Sequence, residues 1–120
     1  MKIAISAVEP KIESAVDQRF GRARFFAVYN SETEEYVFLD NEIQLNAAQG
    51  AGIQTAEMLA KAGAGAVLTG HCGPNAFKVL TAAGIAVYTS ESVTIAEALK
   101  RFLNGELKSS GSADVEGHWV

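Results

Sequence analysis

The chain has 120 residues, of which 48% are hydrophobic and 20% are charged, and this balance is typical of one globular domain. Fourteen acidic residues against ten basic ones give a net charge of −4, which excludes a generally basic nucleic-acid-binding surface. The single cysteine excludes a disulfide framework and a four-thiolate metal site, and no apolar run is long enough to cross a membrane. With no signal-peptide pattern at the first residues, we expect a cytoplasmic protein.

The first third of the chain is predicted to contain three strands. Residues 2–8 combine isoleucines with small residues and predict a strand that is buried on both faces. After a loop, the aromatic and branched residues of 24–30 and 35–40 predict two more strands. Because only the short polar segment 31–34 separates them, we expect an antiparallel hairpin.

The rest of the chain alternates helices and strands. The pattern predicts, in order, a helix over 50–62, a strand over 65–69, a helix over 74–83, a strand over 85–89 and a last helix between 92 and 105. Pro74 stands at a position that favours a helix start, and Thr94 with Glu97 fits a capping box.

These elements predict an α/β fold. The segment Ala66-Val67-Leu68-Thr69 returns twenty residues later as Ala86-Val87-Tyr88-Thr89, and strands joined by one helix run parallel with a right-handed crossover. We therefore expect a single domain over residues 1–104, with a mixed five-stranded sheet and helices on both of its faces. Residues 105–120 have the composition of a polar tail.

The segment Gly70-His71-Cys72-Gly73-Pro74-Asn75 is the first candidate site. It joins a strand end to a helix start, where glycines allow close approach and backbone N–H groups attract an anion. His71 and Cys72 also carry metal-ligating side chains. The alternative is a tight turn in which Cys72 is a small buried side chain.

Two further segments are candidates for the same site. The first contains Arg19, Phe20, Gly21, Arg22 and Arg24, and guanidinium groups bind anions through several donors. Its alternative is a solvated loop in which Arg22 or Arg24 pairs with a nearby acid and Phe20 is an anchor.

The second segment, 46–52, places Asn46 and Gly50 before a helix and could cradle an anion or be a close-packed helix start. It lacks the dinucleotide-binding pattern, because Thr55 stands where a third glycine or alanine belongs. We expect the 42–49 and 9–23 segments to lie near the 70–75 loop and to form one cleft rim with it.

The motifs Asp17-Gln18-Arg19-Phe20-Gly21-Arg22, Phe25-Phe26-Ala27-Val28 and Gly70-His71-Cys72-Gly73-Pro74-Asn75-Ala76-Phe77 together resemble the dinitrogenase iron–molybdenum cofactor-binding family. The resemblance covers residues 1–104 and implies a ribonuclease H-like fold. It also implies a small carrier or chaperone for metal–sulfur clusters, not an enzyme. Family members often carry histidine in the place of Arg19. This departure argues against the iron–molybdenum cofactor itself and leaves open an anionic cluster held by charge and hydrogen bonds.

The single-domain layout is similar to the orange-protein branch of that family. This similarity implies a molybdenum–copper sulfide cluster that is bound without covalent attachment, with an iron–molybdenum-type cluster as the alternative cofactor. It further implies partner ATPases of the deviant Walker type. Two other functions stay open, namely a protein-interaction or regulatory module and a sensor of an anionic small molecule, both without a metal cofactor.

Overall fold

The structure is a computed structural model that describes residues 1–47 and 50–110. Its strands are β1 (Lys2–Ala7), β2 (Phe25–Asn30), β3 (Glu35–Asp40), β4 (Ala64–Thr69), β5 (Ala86–Thr89) and β6 (Lys108–Ser109). Its helices are α1 (Glu42–Leu45), α2 (Ala51–Lys61), α3 (Pro74–Ala82) and α4 (Ile95–Leu103). None of the helices in these two ranges is both long and apolar enough to cross a membrane.

All strands belong to one mixed sheet in the order β3-β2-β1-β4-β5-β6. The β2–β3 hairpin is antiparallel, and β4 and β5 are parallel, as predicted. The sheet has six strands and not five, because Lys108 and Ser109 pair with β5 inside the segment predicted as a tail. Both residues are polar and exposed, so no hydrophobic pattern in the sequence predicts this strand. Residues 111–120 of the predicted tail lie outside the described residues.

Helices cover both faces of the sheet because the central strands bury alternate residues on opposite sides. On one face, Ala4 and Val67 belong to a core that also contains residues of α2 and α3. On the other face, Ile3 and Ile5 belong to a core that contains residues of α4. The prediction of an α/β domain with helices on both faces is confirmed.

One end of the sheet gathers the loops that carry the candidate residues. The parallel strands β1 and β4 both end there. The antiparallel register places Phe25 opposite Ala7 and opposite Asp40, so β2 begins and β3 ends at the same place. The loops after β1, β3 and β4 therefore share one end of the sheet, the usual position of binding sites in open α/β sheets.

Candidate functional site

The segment 17–24, here the arginine loop, runs directly beside the loop that follows β4. The Phe20 N–H donates to the His71 carbonyl at 3.0 Å, and the His71 N–H donates to the Gln18 carbonyl at 2.7 Å. A Cβ atom on Gly70 would lie 2.7 Å from the Gln18 Cα, so Gly70 is required by this close approach. Two of the three predicted segments are thus neighbours.

The first turn of α2 brings the third segment to the same place. An added Cβ on Gly21 would lie 2.8 Å from the Gly52 Cα, and one on Gly52 would lie 3.2 Å from the Ala76 Cβ. The arginine loop consequently packs backbone against backbone on α2, and Gly52 of α2 packs against the Ala76 methyl group of α3. Small residues are needed at these positions because any larger side chain would push the three segments apart.

A cleft of about 280 Å³ lies between the starts of α2 and α3, and we call it the glycine cleft. It contains five of the predicted site residues, namely Gly21, Arg22, Gly50, Gly73 and Asn75. Its other lining residues are Ala51, Gly52, Ile53, Pro74 and Ala76. Four of these ten lining residues are glycines, which leave their backbone uncovered by side chains.

Both helices begin at this cleft, and neither has a side chain that caps its first turn. Gly50 is the N-cap of α2 and Gly73 is the N-cap of α3, and neither helix has a side-chain cap or an acidic residue in its first turn. In contrast, Thr94 caps α4 by accepting from the Glu97 N–H at 3.1 Å, as the capping box predicted. The first N–H groups of a helix have no intrahelical acceptor and carry partial positive charge. The glycine cleft is accordingly suited to an anion.

Arg22 adds a full positive charge to the cleft. Its guanidinium donates to the Leu45 carbonyl, which joins the arginine loop to α1. Within residues 1–47 and 50–110, Arg22 forms no ion pair with a carboxylate. Its charge is thus not neutralised by any described acid.

The other two arginines of the loop have acidic partners. Arg19 donates to both carboxylate oxygens of Asp17, at 3.2 and 3.3 Å, and this hydrogen bonding raises the pKa of Arg19. Arg24 donates to both oxygens of Asp40 at 3.0 Å, and this contact lowers the pKa of the Asp40 carboxyl. Arg24 also reaches Glu42 at 3.4 Å. The alternative interpretation, pairing with a nearby acid, therefore describes Arg24.

Besides Gly70 and the two paired arginines, four further candidates lie outside the lining of the glycine cleft. Phe20 is 2% exposed and packs edge-on against Phe26, so it anchors the loop. Cys72 is 3% exposed in the same core, whereas His71 and Asn46 are exposed. In the described part of the chain, no three His, Cys, Asp or Glu side chains are grouped so that they could hold a metal ion.

Sequence reasoning missed Asn41, which is fully buried. Its side-chain amide donates to the Ala23 carbonyl at 2.9 Å, and its Oδ1 accepts from the Thr55 hydroxyl at 3.2 Å. Its backbone N–H donates to the Arg24 carbonyl at 2.7 Å. Asn41 thus ties the arginine loop to α2. In the sequence, the only indication of this role is that Asn41 is a polar residue directly after a predicted strand.

Residues 1–105 match the family model described as dinitrogenase iron-molybdenum cofactor. The chain belongs to this family. It is 31% identical over 111 residues to an uncharacterized protein of Methanocaldococcus jannaschii, with 90% of each chain covered.

Solved structures agree with the family assignment. The apo form of the orange protein from Desulfovibrio gigas is 42% identical and has a TM-score of 0.90, with 93% of this chain and 94% of that chain covered. A Thermotoga protein described as a NifB protein of the DUF35 family is 32% identical, with a TM-score of 0.80 and coverage of 90% and 91%. The resemblance to the family and to its orange-protein branch is confirmed.

Proposed function

We propose that this protein is a non-catalytic carrier that binds an anionic, molybdenum-containing metal–sulfur cluster in the glycine cleft. The observation that carries the proposal is the pairing of two uncapped helix starts with Arg22 around one cleft, in a member of a cofactor-related family. Backbone N–H groups and a guanidinium bind an anion by charge and hydrogen bonding.

The available donors favour docking of a preassembled cluster over ligation of its metals. Thiolates are the preferred ligands of soft metals, but the only cysteine, Cys72, is buried in the core below the loop. A cluster that already carries its own sulfides needs only counter-charge and hydrogen-bond donors from the protein. The glycine cleft supplies both.

Similarity to the orange-protein branch favours a molybdenum–copper sulfide as the cargo, with an iron–molybdenum-type cluster as the alternative. The same resemblance makes an ATPase of the deviant Walker type the expected protein partner. Neither choice follows from the cleft itself, because an anion cradle of this kind recognises charge and size rather than metal identity.

Metal analysis combined with an absorption spectrum tests the proposal. The protein would be purified anaerobically from its native host, and a second sample would be reconstituted with tetrathiomolybdate and Cu(I). We expect metal analysis to find molybdenum and sulfide equal to about one cluster per protein chain. The absorption spectrum should show sulfur-to-metal charge-transfer bands. A protein that stays colourless and metal-free after both treatments would refute the carrier function and favour a regulatory module or a small-molecule sensor.

A further inference from the structure

Strand β3 forms a long open edge of the sheet. It pairs with β2 along all six of its residues without a break in register. Its other side has no strand partner in the described ranges, since β3 is the first strand in the sheet order. The outward N–H and C=O groups of such an edge can pair with another chain.

This edge lacks the features that usually prevent pairing. Proteins protect open edges with proline, lysine, a bulge or an inward charge in the middle of the strand. The segment Glu35-Tyr36-Val37-Phe38-Leu39-Asp40 has none of these, and its charges stand only at its two ends. The central Val37 is 60% exposed.

Apolar side chains are present on both faces beside the edge, together with polar ones on the α2 face. On the α2 face, Val28, Val37 and Leu39 line a groove of about 470 Å³. On the opposite face, the rings of Tyr36 and Phe38 are stacked with centroids 6.1 Å apart. A strand added to this edge would place alternate side chains against each surface, and such cross-strand pairs stabilise sheets.

The charges around the edge indicate the chemistry of the added strand. Acids occupy the two ends of β3, the turn before it and the start of α1 after it: Glu32, Glu34, Glu35, Asp40 and Glu42. Arg24 pairs with two of these acids, Asp40 and Glu42, at one end of the strand. Lys2 and Lys61 line the groove, but they belong to β1 and α2 and not to the edge strand.

A second copy of this chain is a poor match for the same edge. An antiparallel pair of β3 strands would bring the acids around Glu35 close to those around Asp40 of the other copy. A parallel pair would bring each acidic end against its own equivalent. Like charges placed opposite each other destabilise a sheet.

We propose that the β3 edge binds an extended segment of a partner protein, with apolar residues in its centre and lysine or arginine at its ends. The segment adds a seventh strand by backbone hydrogen bonding, and its basic ends lie near the acids that flank β3. This proposal is independent of cluster binding, because it uses no residue that lines the glycine cleft.

NMR titration of ¹⁵N-labelled protein with synthetic peptides tests the proposal. The probe is the peptide Arg-Val-Thr-Ile-Thr-Val-Arg, with alternate amide nitrogens methylated so that only one of its edges can pair. The matched control is the same peptide with glutamate at both ends. The variant Val37→Lys places a charge in the middle of the edge, and its melting temperature and circular dichroism verify that it folds.

We expect the basic peptide to shift the amide signals of residues 35–40 and to bind more weakly as salt increases. The glutamate peptide and the Val37→Lys variant should each bind at least about tenfold more weakly, because an unfavourable charge or a lost apolar contact opposes pairing. Equal binding of the two peptides, or no shifts at residues 35–40, would overturn the proposal. So would a dimer in analytical ultracentrifugation whose β3 amides are protected from hydrogen exchange, since the edge would then hold a second copy.

Discussion

Gly21 and Gly52 meet so closely that a Cβ atom on Gly21 would lie 2.8 Å from the Cα of Gly52. This contact fixes the arginine loop against the first turn of α2 and thereby sets one wall of the glycine cleft. Gly73, on the opposite wall, has no atom within 4 Å of an added Cβ and has an ordinary φ of −67°. Close packing therefore requires glycine at position 21, whereas no neighbouring atom excludes a larger residue at position 73.

Replacing each of these glycines by alanine distinguishes an effect on folding stability from an effect on cluster binding. Gly21→Ala should lower the free energy of unfolding by about 1–3 kcal/mol, because backbone must move to admit the methyl group. Gly73→Ala should keep its stability but load less cluster, because its methyl group extends into the cleft. Denaturant unfolding and metal content measure the two effects. A Gly73→Ala protein with unchanged loading would show that the cluster does not approach this wall.

Arg22 should contribute more to cluster binding than the other arginines of the loop. Its charge has no described carboxylate partner, whereas both carboxylate oxygens of Asp40 accept hydrogen bonds from Arg24, one from Nε and one from Nη2. Arg22→Ala should weaken loading about tenfold, since a hydrogen bond to a charged group contributes roughly 1.5–3 kcal/mol. Arg24→Ala is the matched control and should change loading little. Competition between the variants for limiting cluster, at several salt concentrations, gives the comparison, and equal loading of both variants would contradict it.

Much of the fold could be predicted because its elements bury periodic apolar residues. The helix α1 was missed because none of its four residues is buried and Ile43 is 81% exposed, so it has no amphipathic pattern. Strand β6 was missed because pairing with β5, and not its own two residues, makes it a strand. Both are short elements whose conformation depends on distant neighbours.

The closeness of the candidate loops could also be predicted, but the pairing of their charged side chains could not. Loops that follow the parallel strands β1 and β4 must share one end of the sheet. Arg24 pairs with Asp40, which is 16 positions away in sequence and becomes its neighbour only through the β2–β3 register, whereas no carboxylate of the described residues pairs with Arg22. Spacing along the chain contains no information on that contact.

Asn41 and Thr55 should act as one unit that holds the arginine loop on α2. Asn41→Ala would remove the partner of two buried groups and should cost about 1–3 kcal/mol of unfolding free energy. Because Thr55 donates to Asn41, the double variant with Thr55→Val should cost less than the sum of the single changes. Urea unfolding of the four proteins measures this coupling, and strictly additive costs would show that the 3.2 Å hydrogen bond contributes nothing.

Cys72 should prove dispensable for cluster loading. Because it is buried among core residues, Cys72→Ala should cost about 1 kcal/mol of stability through lost packing, and Cys72→Ser should cost about 1–3 kcal/mol by burying a hydroxyl. Loading per folded molecule should nevertheless stay close to that of the natural protein in both variants. If both Cys72 variants lost cluster loading while their melting temperatures stayed unchanged, the result would instead show that the Cys72 thiolate ligates the cluster.

The most direct measurement is a map of backbone amide shifts on cluster binding. ¹⁵N-labelled protein would be titrated anaerobically with the diamagnetic product of tetrathiomolybdate and Cu(I). We expect the largest shifts on the first-turn amides of α2 and α3, at residues 51–53 and 75–76, together with Gly21 and Arg22. Shifts that leave both helix starts unchanged, or that centre on another surface of the protein, would contradict this expectation.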